Sequence, residues 1–199
     1  MSFLLAIESS GKNFSAALFK DGRLLAQSKA LLGETASQNL LPHIQKLLSE
    51  AGIAPKDLAT IAVGEGPGGF TGLRVGLSTA VGLATFHEIP IVGVSTLKAM
   101  ALGSPDGLVA SVLPAGRGLI YAALFRKKGK VLMSEVDEGV FLPEAWEKKT
   151  HGVDVQAALA PEASLIGLLA LQESPPPMSV FNIKIKYLQD PDFGLKHPS

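Results

Sequence analysis

Apolar residues along this chain come in short solid runs first and in helical spacing afterwards. Residues 3–7 form an unbroken apolar stretch of the kind required by a strand buried on both faces. A second run covers 14–19, Lys20-Asp21-Gly22-Arg23 supplies an Asp-Gly turn, and 24–30 resumes the pattern. Two strand-like runs joined by Asp-Gly predict a hairpin. The opening therefore reads strand, strand, strand, with 9–13 as the first turn.

Over 37–50 the period changes to that of a helix, at Leu40, Leu41, Ile44, Leu47 and Leu48. Pro42 is expected in its first turn and Gly52 after its end. Residues 58–63 predict a fourth strand, and a glycine-rich loop over 64–69 leads to a helix over 72–86, with Thr71 as its cap. A strand over 89–94 follows, and Ser95 is expected to cap a short helix ending near Leu102. Gly103-Ser104-Pro105-Asp106-Gly107 marks a break, giving an N-terminal unit over 1–103 and a smaller C-terminal unit over 108–199. The second unit carries strand patterns over 108–113, 119–125 and 131–136, then helices over 143–149 and 161–171. Ser174 and the three prolines after it read as a rigid turn, and the tail beyond Lys186 as irregular.

Composition narrows the function classes. Apolar residues make up 47% of the 199, charged residues 18%, and mean hydropathy is +0.30. Such a chain folds, and it calls for a contact surface on another protein. Eighteen basic and eighteen acidic residues leave no net charge. Tight RNA binding by this chain alone is therefore not expected, because that needs a basic field. Arg126, Lys127, Lys128 and Lys130 surround Gly129 as a solvated hairpin tip. There is no cysteine, which excludes disulfides and thiolate chemistry. The start lacks a basic leader and its apolar run stops at Glu8, so cytoplasm and no membrane association are the expectation.

Gly64, Gly66 and Gly69 fit the spacing of a dinucleotide fingerprint. Three strands and a helix precede the loop, whereas that fold feeds a first strand straight into it. Pro67 also removes a backbone donor. No Lys-Ser or Lys-Thr follows, so this is not a Walker loop either. Two readings stay open: a tight strand-to-helix connection, or an anion or partner site at the helix N-terminus. The helix over 72–86 carries one full charge, Arg74, and small residues at Gly72, Gly76 and Ala80. One side can cover a sheet, and the other calls for a second helix or a partner chain.

Glu8-Ser9-Ser10, the string Gly66-Pro67-Gly68-Gly69-Phe70-Thr71-Gly72-Leu73-Arg74-Val75-Gly76, and Ile91-Val92-Gly93-Val94-Ser95-Thr96-Leu97 together resemble the TsaB (YeaZ) family of the Kae1/TsaD superfamily. The resemblance runs from Met1 to about Leu102, with a fainter continuation through Tyr121. It implies an actin-like α/β fold (ASKHA, ribonuclease H-like) of two related halves, the second one short. It also implies a non-catalytic partner or scaffold for a TsaD-type transferase in forming tRNA N6-threonylcarbamoyladenosine (t6A). A TsaE-type ATPase would join the pair, a homodimer would form when the chain is alone, and tRNA would be met only through the complex.

On that resemblance, Leu41, Phe70, Arg74 and Leu77 are the expected partner contacts. Glu8, Ser9, Ser10, Gly66, Gly68, Gly69 and Thr71 form a candidate anion or nucleotide loop, with ATP or ADP expected only at the assembled complex. TsaD-like catalysts hold metal with a helical H-x-x-x-H pair. The four histidines here, His43, His87, His151 and His197, contain no such pair, so neither metal nor catalytic residue is expected. Glu8 stands where actin-like ATPases carry Asp, and it reads as a turn-stabilising acid. The alternative is an actin-like ATPase or small-molecule kinase acting on its own. It would need a second phosphate loop with Asp, and residues 113–118 supply glycines without one.

Overall fold

In the computed structural model of the protein, which describes residues 1–178, 182–186 and 188, two sheets are built in turn from one strand pattern. The first holds β1 (Phe3–Glu8), β2 (Ser15–Lys20), β3 (Arg23–Lys29), β4 (Leu58–Gly66) and β5 (Ile91–Ser95), in the order β3-β2-β1-β4-β5. β1, β2 and β3 are an antiparallel meander, while β4 and β5 run parallel to β1 and to one another. The second sheet has β6 (Gly107–Gly116), β7 (Leu119–Lys128), β8 (Val131–Phe141) and β9 (Val155–Ala157), in the order β8-β7-β6-β9. Again a meander is followed by a strand parallel to its first member. Among the described residues, the second half thus repeats the first without a counterpart of β5.

Among the described residues, five α-helices cover these sheets: α1 (Ala36–Glu50), α2 (Phe70–His87), α3 (Thr96–Leu102), α4 (Pro143–Thr150) and α5 (Ala163–Glu173). Because side chains alternate along a strand, β1 feeds two cores. Leu5 and Ile7 join Leu40, Ile44, Leu47 and Leu48 of α1 and Ala80 and Ala84 of α2. Leu4 and Ala6 join Leu165, Ile166, Leu169 and Ala170 of α5. Both faces of β1 are covered, which is why its sequence is a solid apolar run. α3 lies between the sheets: Leu97, Met100 and Ala101 pack on Val109, Leu113, Ala123 and Phe125 of β6 and β7. The expected units 1–103 and 108–199 contain one sheet each, and α5, from the second stretch, packs on the first sheet.

Local chemistry explains most boundaries. Asp21 and Gly22 both take positive φ, 49° and 78°, matching the twist of a two-residue hairpin. Ser95 Oγ accepts the Lys98 N–H at 3.2 Å, as an N-cap should. Three expectations need correction. Pro42 lies in the interior of α1, not its first turn, because Thr35 rather than a later residue is the N-cap. Thr71 does not cap α2: the N-cap is Gly69, and Thr71 is an exposed residue of the first turn. β4 continues to Gly66, so the first three residues of the expected glycine loop are strand. Phe181, Tyr187, His197 and the tail over 189–199 lie outside the described residues. Among the described residues, no helix is long and apolar enough to cross a membrane.

Candidate functional site

The first turn is organised by Glu8, the last residue of β1. Its side chain is buried; Oε1 accepts the Ser10 N–H at 2.6 Å, and Oε2 accepts the Thr96 hydroxyl at 3.0 Å. Gly64 on β4 leaves the room, since a Cβ there would strike the Glu8 carboxylate. Burial pushes the Glu8 carboxyl above its ordinary range, and hydrogen bonds from Ser10, Thr96 and Ser9 pull partly the other way. A buried acid held by a backbone amide and a threonine fastens the β1–β2 turn to the start of α3.

The candidate anion loop is brought together, but around the chain's own backbone. Gly69 N donates to the Ser10 carbonyl at 2.7 Å, and a Cβ at Gly68 would meet Ser10. A Cβ at Gly72 would strike the Ser9 carbonyl, and one at Gly76 the Ser9 hydroxyl. That hydroxyl donates to Gly72 O at 2.8 Å. The small-residue stripe of α2 therefore seats the β1–β2 turn against the helix. Gly66 needs its glycine for a φ of 101°. Ser9 and Ser10 are buried, whereas Thr71 points to solvent.

The partner-facing candidates lie on α1 and α2. The Arg74 guanidinium sits 3.7 Å from the Phe70 ring centroid, a cation–π stack one helical turn apart. Arg74 is exposed, Phe70 and Leu77 are half-buried, and Leu41 on α1 is 43% exposed. α1 and α2 pack together. The second helix that α2 called for is thus partly supplied from within the chain.

Several groupings were not legible in the sequence. A cleft of about 480 Å³ separates Ser10, Lys12 and Asn13 of the first turn from Leu113 and Pro114 of β6 and from Pro161. His43 on α1 contacts Ser28 Oγ at 2.7 Å through Nδ1 and Glu34 at 2.9 Å through Nε2, with Phe14 edge-on to its ring. This trio ties β3 and the segment before α1 to the helix. Glu138 on β8 accepts the Ser95 hydroxyl and lies 2.8 Å from Lys186 Nζ. The paired residues lie from 9 positions apart, for Glu34 and His43, to 48 apart, for Glu138 and Lys186, so no local motif announces them. Among the described residues, no group of three or more His, Asp or Glu is placed to hold a metal ion.

The family model described as "TsaD: tRNA N6-adenosine threonylcarbamoyltransferase" matches residues 31–183, more than half of the chain. The tRNA threonylcarbamoyladenosine biosynthesis protein TsaB of Bacillus subtilis strain 168 is 34% identical over 144 residues, covering 71% of this chain. Its counterpart in Escherichia coli K12 is 33% identical over 162 residues, covering 80%. A solved structure, YeaZ from Pseudomonas aeruginosa, superposes with a TM-score of 0.80 at 26% identity, covering 94% of this chain and all of that one. The chain belongs to the TsaB/YeaZ family. It spans 63% of the length of each of those two curated TsaB proteins. The actin-like fold expected for TsaB is the one observed, with its meander-plus-parallel sheet present twice.

Proposed function

We propose that this TsaB-family chain is a non-catalytic partner of a TsaD-type transferase in forming t6A on tRNA. The observation that carries the reading is the stack of the exposed Arg74 on the half-buried Phe70 of α2, together with the exposed Leu41 on α1, the helix packed against it. An arginine stacked on an aromatic is a pre-ordered, partly desolvated anchor, the type of group that dominates binding energy. Leu77 half-buried behind it adds apolar area. The same face pairs two copies of the chain when the transferase is absent, since a self-complementary contact is the commonest way to cover such a surface.

Two features support a supporting rather than a chemical role. The acid in the position of the actin-like catalytic carboxylate is consumed by Ser10 N and Thr96. The Gly69 amide at the start of α2 is spent on Ser10 O, away from any phosphate. ATP or ADP, a TsaE-type ATPase and tRNA are then met in the assembled complex, in the cytoplasm, not by this chain alone. The direct test is reconstitution. With threonylcarbamoyl-adenylate and tRNA supplied, the transferase makes t6A at its full rate only with this chain added, and the chain alone makes none. Full activity without it would remove the proposal.

A further inference from the structure

The two sheets meet along two seams of different chemistry. The first is mainly apolar: Leu97, Met100 and Ala101 of α3 lie against Val109, Leu113 and Phe125 of the second sheet, and within it Ser111 Oγ on β6 donates to Leu97 O at 2.6 Å. The second is polar and centres on Glu138, whose side chain is 12% exposed. Its Oε1 accepts the hydroxyl of Ser95, the last residue of β5. Its Oε2 lies 2.8 Å from Lys186 Nζ, close enough for a charge pair though off the line of a well-directed hydrogen bond. Lys186 belongs to a C-terminal segment that is itself pinned to the first sheet. Lys186 N donates to Glu65 O at 2.8 Å, and Met178 N donates to Ile91 O at 2.8 Å.

We propose that Glu138 is a lock between the two sheets, holding closed a polar cleft that would otherwise open by pivoting on α3. Apolar contact is non-directional and the Ser111–Leu97 bond lies on the pivot itself, whereas the Ser95–Glu138 bond, off the pivot, is satisfied in one relative position only. The cleft beside the lock has a volume of about 460 Å³ and is lined by Glu65, Lys98, Asp137 and Glu173 in addition to the locking groups. Lys98 is paired with Glu173, and Asp137 accepts the Ser134 hydroxyl. Glu65 is the acid left facing Lys186 and Glu138. Burial raises its carboxyl above the ordinary range, and Glu138 adds to the rise against the pull of Lys186. One lysine thus serves two acids, and Glu138 is the one in ion-pair contact with it. The lock makes the chain a fixed body, and its presence does not depend on the partner reading.

The chain has no cysteine, so a single labelled pair reports on the sheets directly. Lys56→Cys, before β4, and Lys149→Cys, on α4, are both exposed. Spin labels at these sites in the full chain should give one narrow distance distribution. Glu138→Ala is expected to lose that single component, with added populations at other distances. A narrow distribution unchanged by Glu138→Ala would overturn the lock. If Glu138→Ala does not fold, as judged by circular dichroism, Lys186→Met decides instead, because it leaves the second sheet untouched. Broadening in that variant upholds the lock, and an unchanged distribution ends it.

Discussion

Thr96 Oγ1 donates to Glu8 Oε2 at 3.0 Å, while its neighbour Ser95 donates to Glu138. Adjacent hydroxyls at the β5–α3 junction are therefore fastened to two glutamates, one from each sheet. The junction is where the two halves of the fold are joined, and it is held from both sides.

Glu8 makes the first prediction. Its folded carboxyl titrates above the ordinary value of 4.5. Below that value both folded and unfolded chains hold the proton, and stability is at its full level. As pH rises through the folded value the unfolded chain ionises first, so stability falls and then levels off. Glu8→Gln keeps the shape and can still serve Ser10 N and Thr96, without the buried charge. Urea midpoints across this window should show the Gln variant gaining on the native chain as pH rises. A difference that stays constant with pH would refute the account of Glu8. Glu8→Ala orphans two buried donors and should cost roughly 2–5 kcal/mol.

The glycines of α2 are separable. Gly72 and Gly76 face Ser9, and no flexible side-chain end is available to yield at Gly72. Gly72→Ala should lose about 2–4 kcal/mol through overpacking. Gly82 has open space where a Cβ would go. Gly82→Ala should gain about 0.5–1 kcal/mol from helix propensity. Thermal or denaturant unfolding of the two variants checks both, and equal effects would mean that the stripe does not seat the first turn.

Much of the fold was legible in local chemistry, and the failures have physical causes. Asp21-Gly22 and Ser95 announced a turn and a cap because their chemistry is contained within four residues. Pro42 and Thr71 misled because composition marks a helix more firmly than its first residue, and the true caps, Thr35 and Gly69, make no side-chain cap bond. β9 was missed because three residues, Val155–Ala157, carry no period. The packing of α5 on the first sheet was not readable from an apolar helix alone. The string around Gly66–Gly76 marked the α2 start, but only three dimensions show that Ser9 and Ser10 fill the space those glycines leave. Ser28, His43 and Glu34 meet through the β2–β3–α1 packing, beyond any spacing rule.

The proposed contact face predicts a graded response. Arg74→Glu reverses the exposed charge and abolishes the stack on Phe70, and should weaken transferase binding roughly tenfold or more. Leu41→Ala should weaken it less, since it removes rim area. Calorimetric titration against the transferase reads both. Unchanged affinity in Arg74→Glu, with the fold intact, would move the interface away from α2.

The most direct measurement is the mass of a mixture of this chain with the TsaD-type protein of the same source, by light scattering on a sizing column. The account predicts a one-to-one complex, and t6A formation that requires both proteins. No complex, with ATP turnover by this chain alone, would contradict it and make the kinase-like alternative the one to follow.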